Sequence, residues 1–216
     1  MTTAICFDLD GTLVGYDRSF DAVTAAALET GLGTAPEALV GRYTDAFLDA
    51  FRALEPDPYH AGMAAALERA RETGAVPDRA LADVTVDELV AAHVEAELAA
   101  TTVTPAARDC LDAFAADAET RVAVVTDGVG DRQRRKLTHH GLYDAVEETV
   151  VSYDVGGHKR SGEPYAAVRE RLPADEYVMV GDSYESDVEA ARAAGFVPVH
   201  YEDDGADLFE ILRAFL

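Results

Sequence analysis

Four short apolar runs in the second half of the chain lie at residues 122–126, 146–151, 177–180 and 196–200. Each is followed by a segment with helical spacing, at 131–141, 164–172, 185–194 and 206–215, and a further helix over 105–118 precedes the first. Runs of this length, rich in Val and closed by turn residues, read as strands buried on both faces. Strands that alternate with helices predict right-handed crossovers and a parallel, doubly wound sheet, an α/β core of the Rossmann-like kind. Residues 4–7 supply one more strand, which stops abruptly at Asp8-Leu9-Asp10-Gly11-Thr12.

Residues 15–99 interrupt this alternation. They are rich in Ala and Leu and carry no β-branched run. Phe20, Val23, Ala27 and Leu28 share a helical face, as do Leu39, Tyr43, Phe47 and Phe51. Breaks fall at Glu55-Pro56-Asp57-Pro58 and Thr73-Gly74, and Asp83 or Thr85 is placed to cap a later helix. The expected organisation is a catalytic core made of 1–14 and 100–216, with an all-helical cap of roughly four helices inserted over 15–99.

Composition excludes several classes of partner. With 41 acidic against 18 basic residues the net charge is −23, which repels nucleic acid and anionic lipid. No apolar stretch reaches the ~18 residues of a membrane span, and no basic region precedes the first apolar run, so neither a membrane anchor nor a signal peptide is expected. Cys6 and Cys110 form no disulfide framework and predict a reduced, cytoplasmic protein, as monomer or homodimer. Lysine is nearly absent: only Lys136 and Lys159 occur among the 18 basic residues. Such an acidic, Lys-poor composition resembles that of proteins from salt-loving archaea.

Open α/β sheets bind ligands beyond the carboxyl ends of their strands. The predicted ends carry Asp8 and Asp10, then Thr126 and Asp127, then Lys159 after a loop, then Asp182, Ser183 and Asp187. Carboxylates gathered at one edge repel one another unless a cation compensates. An oxygen-only donor set suits Mg²⁺. Metal, ammonium and carboxylate together describe a phosphoryl site, and Asp is a competent nucleophile toward phosphorus.

These residues resemble the four motifs of the haloacid dehalogenase-like hydrolase superfamily, in order and over nearly the whole chain. Asp8–Thr12 matches DxDGT, Thr126 closes the second motif, Lys159 is the isolated third, and Gly181-Asp182-Ser183 through Asp187 matches GDSxxxD. The resemblance implies a catalytic set of Asp8, Asp10, Thr126 and Lys159. Asp8 is the implied nucleophile, giving an aspartyl-phosphate, and Asp10 the general acid and then the base. Thr126, Asp127, Gly128 and Lys159 are implied around the phosphoryl group. Mg²⁺ is implied on Asp8, the Asp10 carbonyl and Asp182, with Asp187 binding through water or orienting Lys159. The implied activity is hydrolysis of a small phosphomonoester metabolite.

Two positions depart from the family pattern. Asp127 stands where Asn is usual, and Arg160 where Pro follows the Lys, although Tyr165 still falls on an expected aromatic position. The alternatives are a sugar phosphomutase of the same superfamily and, in a different class, a phospho-acceptor signalling domain. Asp10 argues against dehalogenation, which needs no proton for its leaving group. The cap block holds no Lys for Schiff-base chemistry. Arg18, Arg42, Arg52 and Tyr43 are the cap residues to examine for substrate contact.

Overall fold

The computed structural model describes residues 1–202 and 208–213. The chain divides into two compact units, one of Met1–Tyr16 with Thr102–Leu216 and the other of Asp17–Thr101. No helix among the described residues is long and apolar enough to cross a membrane.

The first unit is built on five strands: β1 (Thr3–Phe7), β2 (Thr120–Thr126), β3 (Glu148–Val151), β4 (Glu176–Gly181) and β5 (Val197–His200). They form one sheet in the order β3-β2-β1-β4-β5, and every pairing is parallel. β1 lies at the centre, with Phe7 opposite Val124 on one side and Val180 on the other. Both sheet faces are covered, which is why the strands read as continuous apolar runs rather than alternating ones. Ile5, Phe7, Val122, Val124 and Val180 pack with Leu111, Phe114 and Phe209 on one face. Ala4, Cys6, Ala123, Val125 and Met179 pack with Tyr165, Val168 and Phe196 on the other.

The second unit contains α1 (Phe20–Leu32), α2 (Glu37–Arg52), α3 (Pro58–Thr73), the single turn α4 (Asp78–Leu81) and α5 (Val86–Ala99). The expectation of about four helices missed α4, which is too short to show a period and starts after Pro77. Ser19 caps α1, Asp57 caps α3 with Pro58 following, and Thr85 caps α5 in a reciprocal box with Glu88. Packing of α2 on α3 and of α1 on α5 encloses an aromatic cluster of Phe20, Tyr43, Phe47, Tyr59 and His93. Tyr43 is fully buried there and its hydroxyl meets His93 Nε2 at 3.2 Å. It is a core residue of this unit, which removes it from the residues expected to touch substrate.

The helices of the first unit are α6 (Pro105–Ala116), α7 (Gly130–His139), α8 (Ser152–Val155), α9 (Glu163–Arg171), α10 (Ala190–Ala193) and α11 (Leu208–Arg213). The rest of the final helix expected over 206–215 lies outside the described residues. Two boundaries moved for local reasons. The strand expected from 146 begins at Glu148, because Tyr143–Ala145 form a 3₁₀ turn whose Tyr143 carbonyl accepts the Val146 N–H. The helix expected over 185–194 opens with a π turn, Tyr184–Glu189, before α10.

That π turn has an identifiable cause. The buried Tyr165 hydroxyl donates to the Ser186 carbonyl at 2.6 Å. In an α-helix this carbonyl would accept the Ala190 N–H, which donates to Glu185 instead. One side chain from α9 therefore widens the turn that carries Asp187. Replacing Tyr165→Phe should strand the Ser186 carbonyl and cost about 1–3 kcal/mol, read by urea unfolding.

Candidate active site

β1 ends at Phe7, and the Asp8 N–H donates to the Val180 carbonyl at 2.8 Å. The β1–β4 ladder thus extends to Asp8 and fixes it at the carboxyl edge of the sheet. The chain then turns back on itself: Gly11 donates to the Val14 carbonyl, and Val14 to the Leu9 carbonyl. Gly11 sits at φ +89°, and a Cβ there would lie 2.6 Å from Asp182 Oδ2, so the turn and its closeness to Asp182 both require glycine. Thr12 Oγ1 donates to Asp182 Oδ1 at 3.2 Å, tying the end of β4 to the same turn.

Lys159, nearly fully buried in a 3₁₀ turn, places Nζ 2.7 Å from Asp8 Oδ1 and 2.6 Å from Asp187 Oδ1. Asp187 is buried too, and its other oxygen accepts the Ser183 N–H at 3.0 Å. The close approach of Asp187 to the end of β4 leaves no room for a Cβ at Gly181, which would fall 2.3 Å from the carboxyl carbon. One ammonium thus serves two carboxylates. Burial pushes the Asp8 carboxyl up to about 7, and nearby Asp187 adds to the rise, while Lys159 pulls the other way. Asp187 is raised by burial as well, against the pull of Lys159. For Lys159 burial acts downward, but Asp8 and Asp187 hold its ammonium well above the usual lysine range.

The two departures from the family pattern have structural roles. Asp127 turns its carboxylate to the Lys159 backbone N–H, at 2.9 Å, with His158 Nδ1 at 3.6 Å. Its charge is directed at the loop that carries Lys159, and Asn would accept the same hydrogen bond. Arg160 pairs with Glu185 at the surface. Gly128 differs from expectation: its N–H donates to Ser152 Oγ at 2.9 Å, so it presents no donor to a phosphoryl group. Thr126 is buried at the end of β2, and its hydroxyl accepts from Gln133 Nε2 at 2.9 Å.

Asp10 is held by residues that the motif pattern did not single out. Lys136 Nζ lies 2.8 and 2.9 Å from its two oxygens, Gln133 Nε2 donates at 2.7 Å, and the Tyr16 hydroxyl at 2.6 Å. Burial acts to raise the Asp10 carboxyl, but Lys136 and the hydrogen bonds outweigh it and hold the group below the usual carboxylate range. Sequence separations of more than 120 residues kept the Gln133 and Lys136 contacts out of local reasoning. The available signal was the survival of Lys136 in a Lys-poor chain.

Asp8, Asp182 and Asp187 bring one carboxylate oxygen each within 4.8 Å of one another. Asp187 is already engaged by Lys159 and Ser183, whereas Asp182 is exposed. The expected site residues therefore converge, except that Asp127 and Gly128 turn their polar groups to other protein partners.

Residues 2–195 match the haloacid dehalogenase-like hydrolases. The chain belongs to that family. Over 213 residues it is 30% identical to a ribulose-1,5-bisphosphate 5-phosphatase from Halopiger xanaduensis, spanning 94% of this chain and 85% of that one. Over 202 residues it is 32% identical to a phosphoglycolate phosphatase from Rhodospirillum rubrum, spanning 92% and 78%. Among solved structures, the magnesium-bound HAD-hydrolase YfnB from Bacillus subtilis matches with a TM-score of 0.68 at 21% identity, covering 98% of both chains. A 2-haloacid dehalogenase from Pseudomonas syringae matches with a TM-score of 0.66 at 22% identity over the whole of both chains. The two structures share the fold. This HAD-like protein is a hydrolase of the phosphoric monoester class, and the family match sets aside the phospho-acceptor signalling alternative.

The Asp8–Lys159–Asp187 group makes a pH-dependent prediction. Lys159→Met should cost about 3–5 kcal/mol at pH 8, where two buried carboxylates lose their counter-ion. At pH 5 the cost should be smaller. Burial and mutual repulsion raise both carboxyl groups, so they take up protons there and the repulsion disappears. Urea unfolding of wild type and variant at both pH values checks the difference.

Proposed function

We propose that the chain is a Mg²⁺-dependent phosphatase that hydrolyses a small phosphomonoester through an aspartyl-phosphate on Asp8. The observation that carries this reading is the Asp8 carboxylate at the carboxyl edge of β1, with Lys159 on one oxygen and exposed Asp182 within reach. Lys159 orients that oxygen and leaves the other for attack. The Asp8 oxygen forms a bond to phosphorus while the bond from phosphorus to the substrate's alcohol oxygen breaks; Asp10, held low by Lys136 in the free protein, takes up a solvent proton as the anionic substrate binds beside it and delivers that proton to the leaving alkoxide. A water molecule then attacks the acyl phosphate and gives its proton back to Asp10. This frees inorganic phosphate and restores Asp8. The Thr126 hydroxyl and the Lys159 ammonium are the protein donors nearest the phosphoryl oxygens in this reading.

The donor set fits a hard divalent cation, because the three carboxylates of Asp8, Asp182 and Asp187 converge on one ammonium, leaving two negative charges that Lys159 does not offset. Asp8, Asp182 and the Asp10 carbonyl would hold Mg²⁺, and Asp187 would orient Lys159. When bound, Mg²⁺ supplies positive charge against the phosphoryl oxygens.

Ca²⁺, with 6–8 ligands, should inhibit by engaging both Asp8 oxygens. The names of the two relatives point to phosphorylated sugars and short phosphorylated acids as the substrate class. A phosphomutase would share every group named so far, and formation of a sugar-phosphate isomer without phosphate release would identify it. The two buried cysteines, neither in a disulfide, fit a reducing compartment such as the cytoplasm.

Asp8→Asn should abolish phosphate release from a panel of sugar and short-chain acid phosphates in Mg²⁺, with the thermal melt retained. Chelation should silence the wild type, and added Mg²⁺ should restore it. Activity of Asp8→Asn within tenfold of wild type, or full turnover in chelator, contradicts the mechanism.

The acidic surface generates a separate prediction. The charge of −23 repels itself within the fold, and salt shortens the reach of that repulsion from about 30 Å at 0.01 M to about 3 Å at 1 M. Molar potassium chloride should therefore raise both activity and the unfolding temperature. A flat response of both from dilute buffer upward removes the halophilic reading.

A further inference from the structure

We propose that Lys136 and Gln133, three residues apart on α7, are positioning residues that hold the Asp10 carboxylate for proton transfer and couple it to Thr126. The inference rests on the reading of Asp10 as the proton-transfer group. Residues at this spacing share a helix face. Lys136 spans both Asp10 oxygens at 2.8 and 2.9 Å, and its ammonium lies 5.5 Å from the centre of the Tyr16 ring. The Gln133 amide nitrogen approaches Asp10 Oδ2 at 2.7 Å and Thr126 Oγ1 at 2.9 Å, with the Asp127 carbonyl further off at 3.3 Å. Both α7 residues are 2% exposed, whereas the Asp10 side chain keeps 30% of its surface open. The donors thus reach the carboxylate from the protein interior, and part of it faces outward.

The helix is a firm base for this task. It starts four residues after Thr126, and Leu137 anchors it in the core beneath the sheet. A free Asp carboxylate rotates easily about its last bond. An ammonium across both oxygens and an amide on one of them fix its plane. Misplacement of a reacting group by about 1 Å costs on the order of 10²-fold in rate. The Gln133 amide adds a second constraint: the Thr126 hydroxyl accepts from it, so the hydroxyl's own hydrogen is directed elsewhere.

Composition gives independent support. The chain has 18 basic residues and only two are Lys. Arg serves nearly everywhere a cation is needed. Both lysines are buried, one on each aspartate of the DxD pair: Lys159 on Asp8 and Lys136 on Asp10. Lysine thus occurs where a compact point charge meets an aspartate of that pair, a role in which Arg, with its planar fork, is not interchangeable.

The test compares kcat/KM for an alkyl phosphate and for nitrophenyl phosphate in Mg²⁺. This ratio reports steps up to departure of the leaving group and is blind to hydrolysis of the acyl phosphate. Lys136→Met should lower the alkyl value by about 10–100-fold, part of the ~10²–10⁴-fold available from general acid catalysis, and the nitrophenyl value by less than about threefold. In an Asp10→Asn background Lys136→Met should produce no further selectivity. Equal losses on both substrates, while Asp10→Asn alone remains selective, overturn the proposal and leave Lys136 a structural residue. Asp10→Asn without leaving-group selectivity overturns the acid role of Asp10 itself and with it this inference, a separately recognisable result. Should Lys136→Met fail to fold, Gln133→Ala leaves the ion pair intact and reads the same ratio, with a smaller selective loss expected and an unselective one overturning the proposal.

Discussion

One buried ammonium between two buried carboxylates is the interaction around which this HAD-like core is arranged. Lys159 compensates Asp8 and Asp187 together, yet one negative charge remains over. Removing three ions from water costs several kcal/mol for each, so the geometry that recovers this cost has to be held closely. The surrounding structure does so from three directions. The β1–β4 ladder fixes Asp8, Asp127 fixes the Lys159 backbone, and the π turn widened by Tyr165 brings Asp187 inward. In the proposed reading, the surplus charge would favour a cation here, and the cation would in turn favour an anion such as a phosphate ester.

Much of this was readable from the residue pattern because it depends on local features. Short Val-rich runs predict strands, strand ends predict where ligands collect, and DxDGT with GDSxxxD predicts which ends matter. Gly11 and Gly181 belong to those motifs for reasons now visible as distances: each leaves room for a carboxylate that a Cβ would displace. The parts that escaped depend on long-range contact. The π turn arises because a tyrosine 21 residues away competes for one carbonyl. Two of the partners of Asp10, Gln133 and Lys136, come from a helix more than 120 residues further along the chain. Gly128 was expected to donate to a phosphate, but Ser152 captured its N–H from a neighbouring strand end.

The two substitutions within the motifs show how a pattern is kept while its letters change. Asp127 replaces an amide by a carboxylate, but the atom in use is an acceptor oxygen, which both side chains possess. Arg160 replaces a rigid ring by a flexible cation, and its pairing with Glu185 joins the Lys159 turn to the π turn by charge instead of by backbone restriction.

The placement of the two lysines also bears on how this protein responds to reagents. Every ε-amino group in the chain lies inside the site, at 2% and 3% exposure. Acylating and cross-linking agents that seek lysine amines therefore meet none of them on the outside. Any slow acylation of a lysine would report local opening around Asp8 and Asp10, so mass spectrometry of an amine-reactive tag becomes a clock for the breathing of this one region.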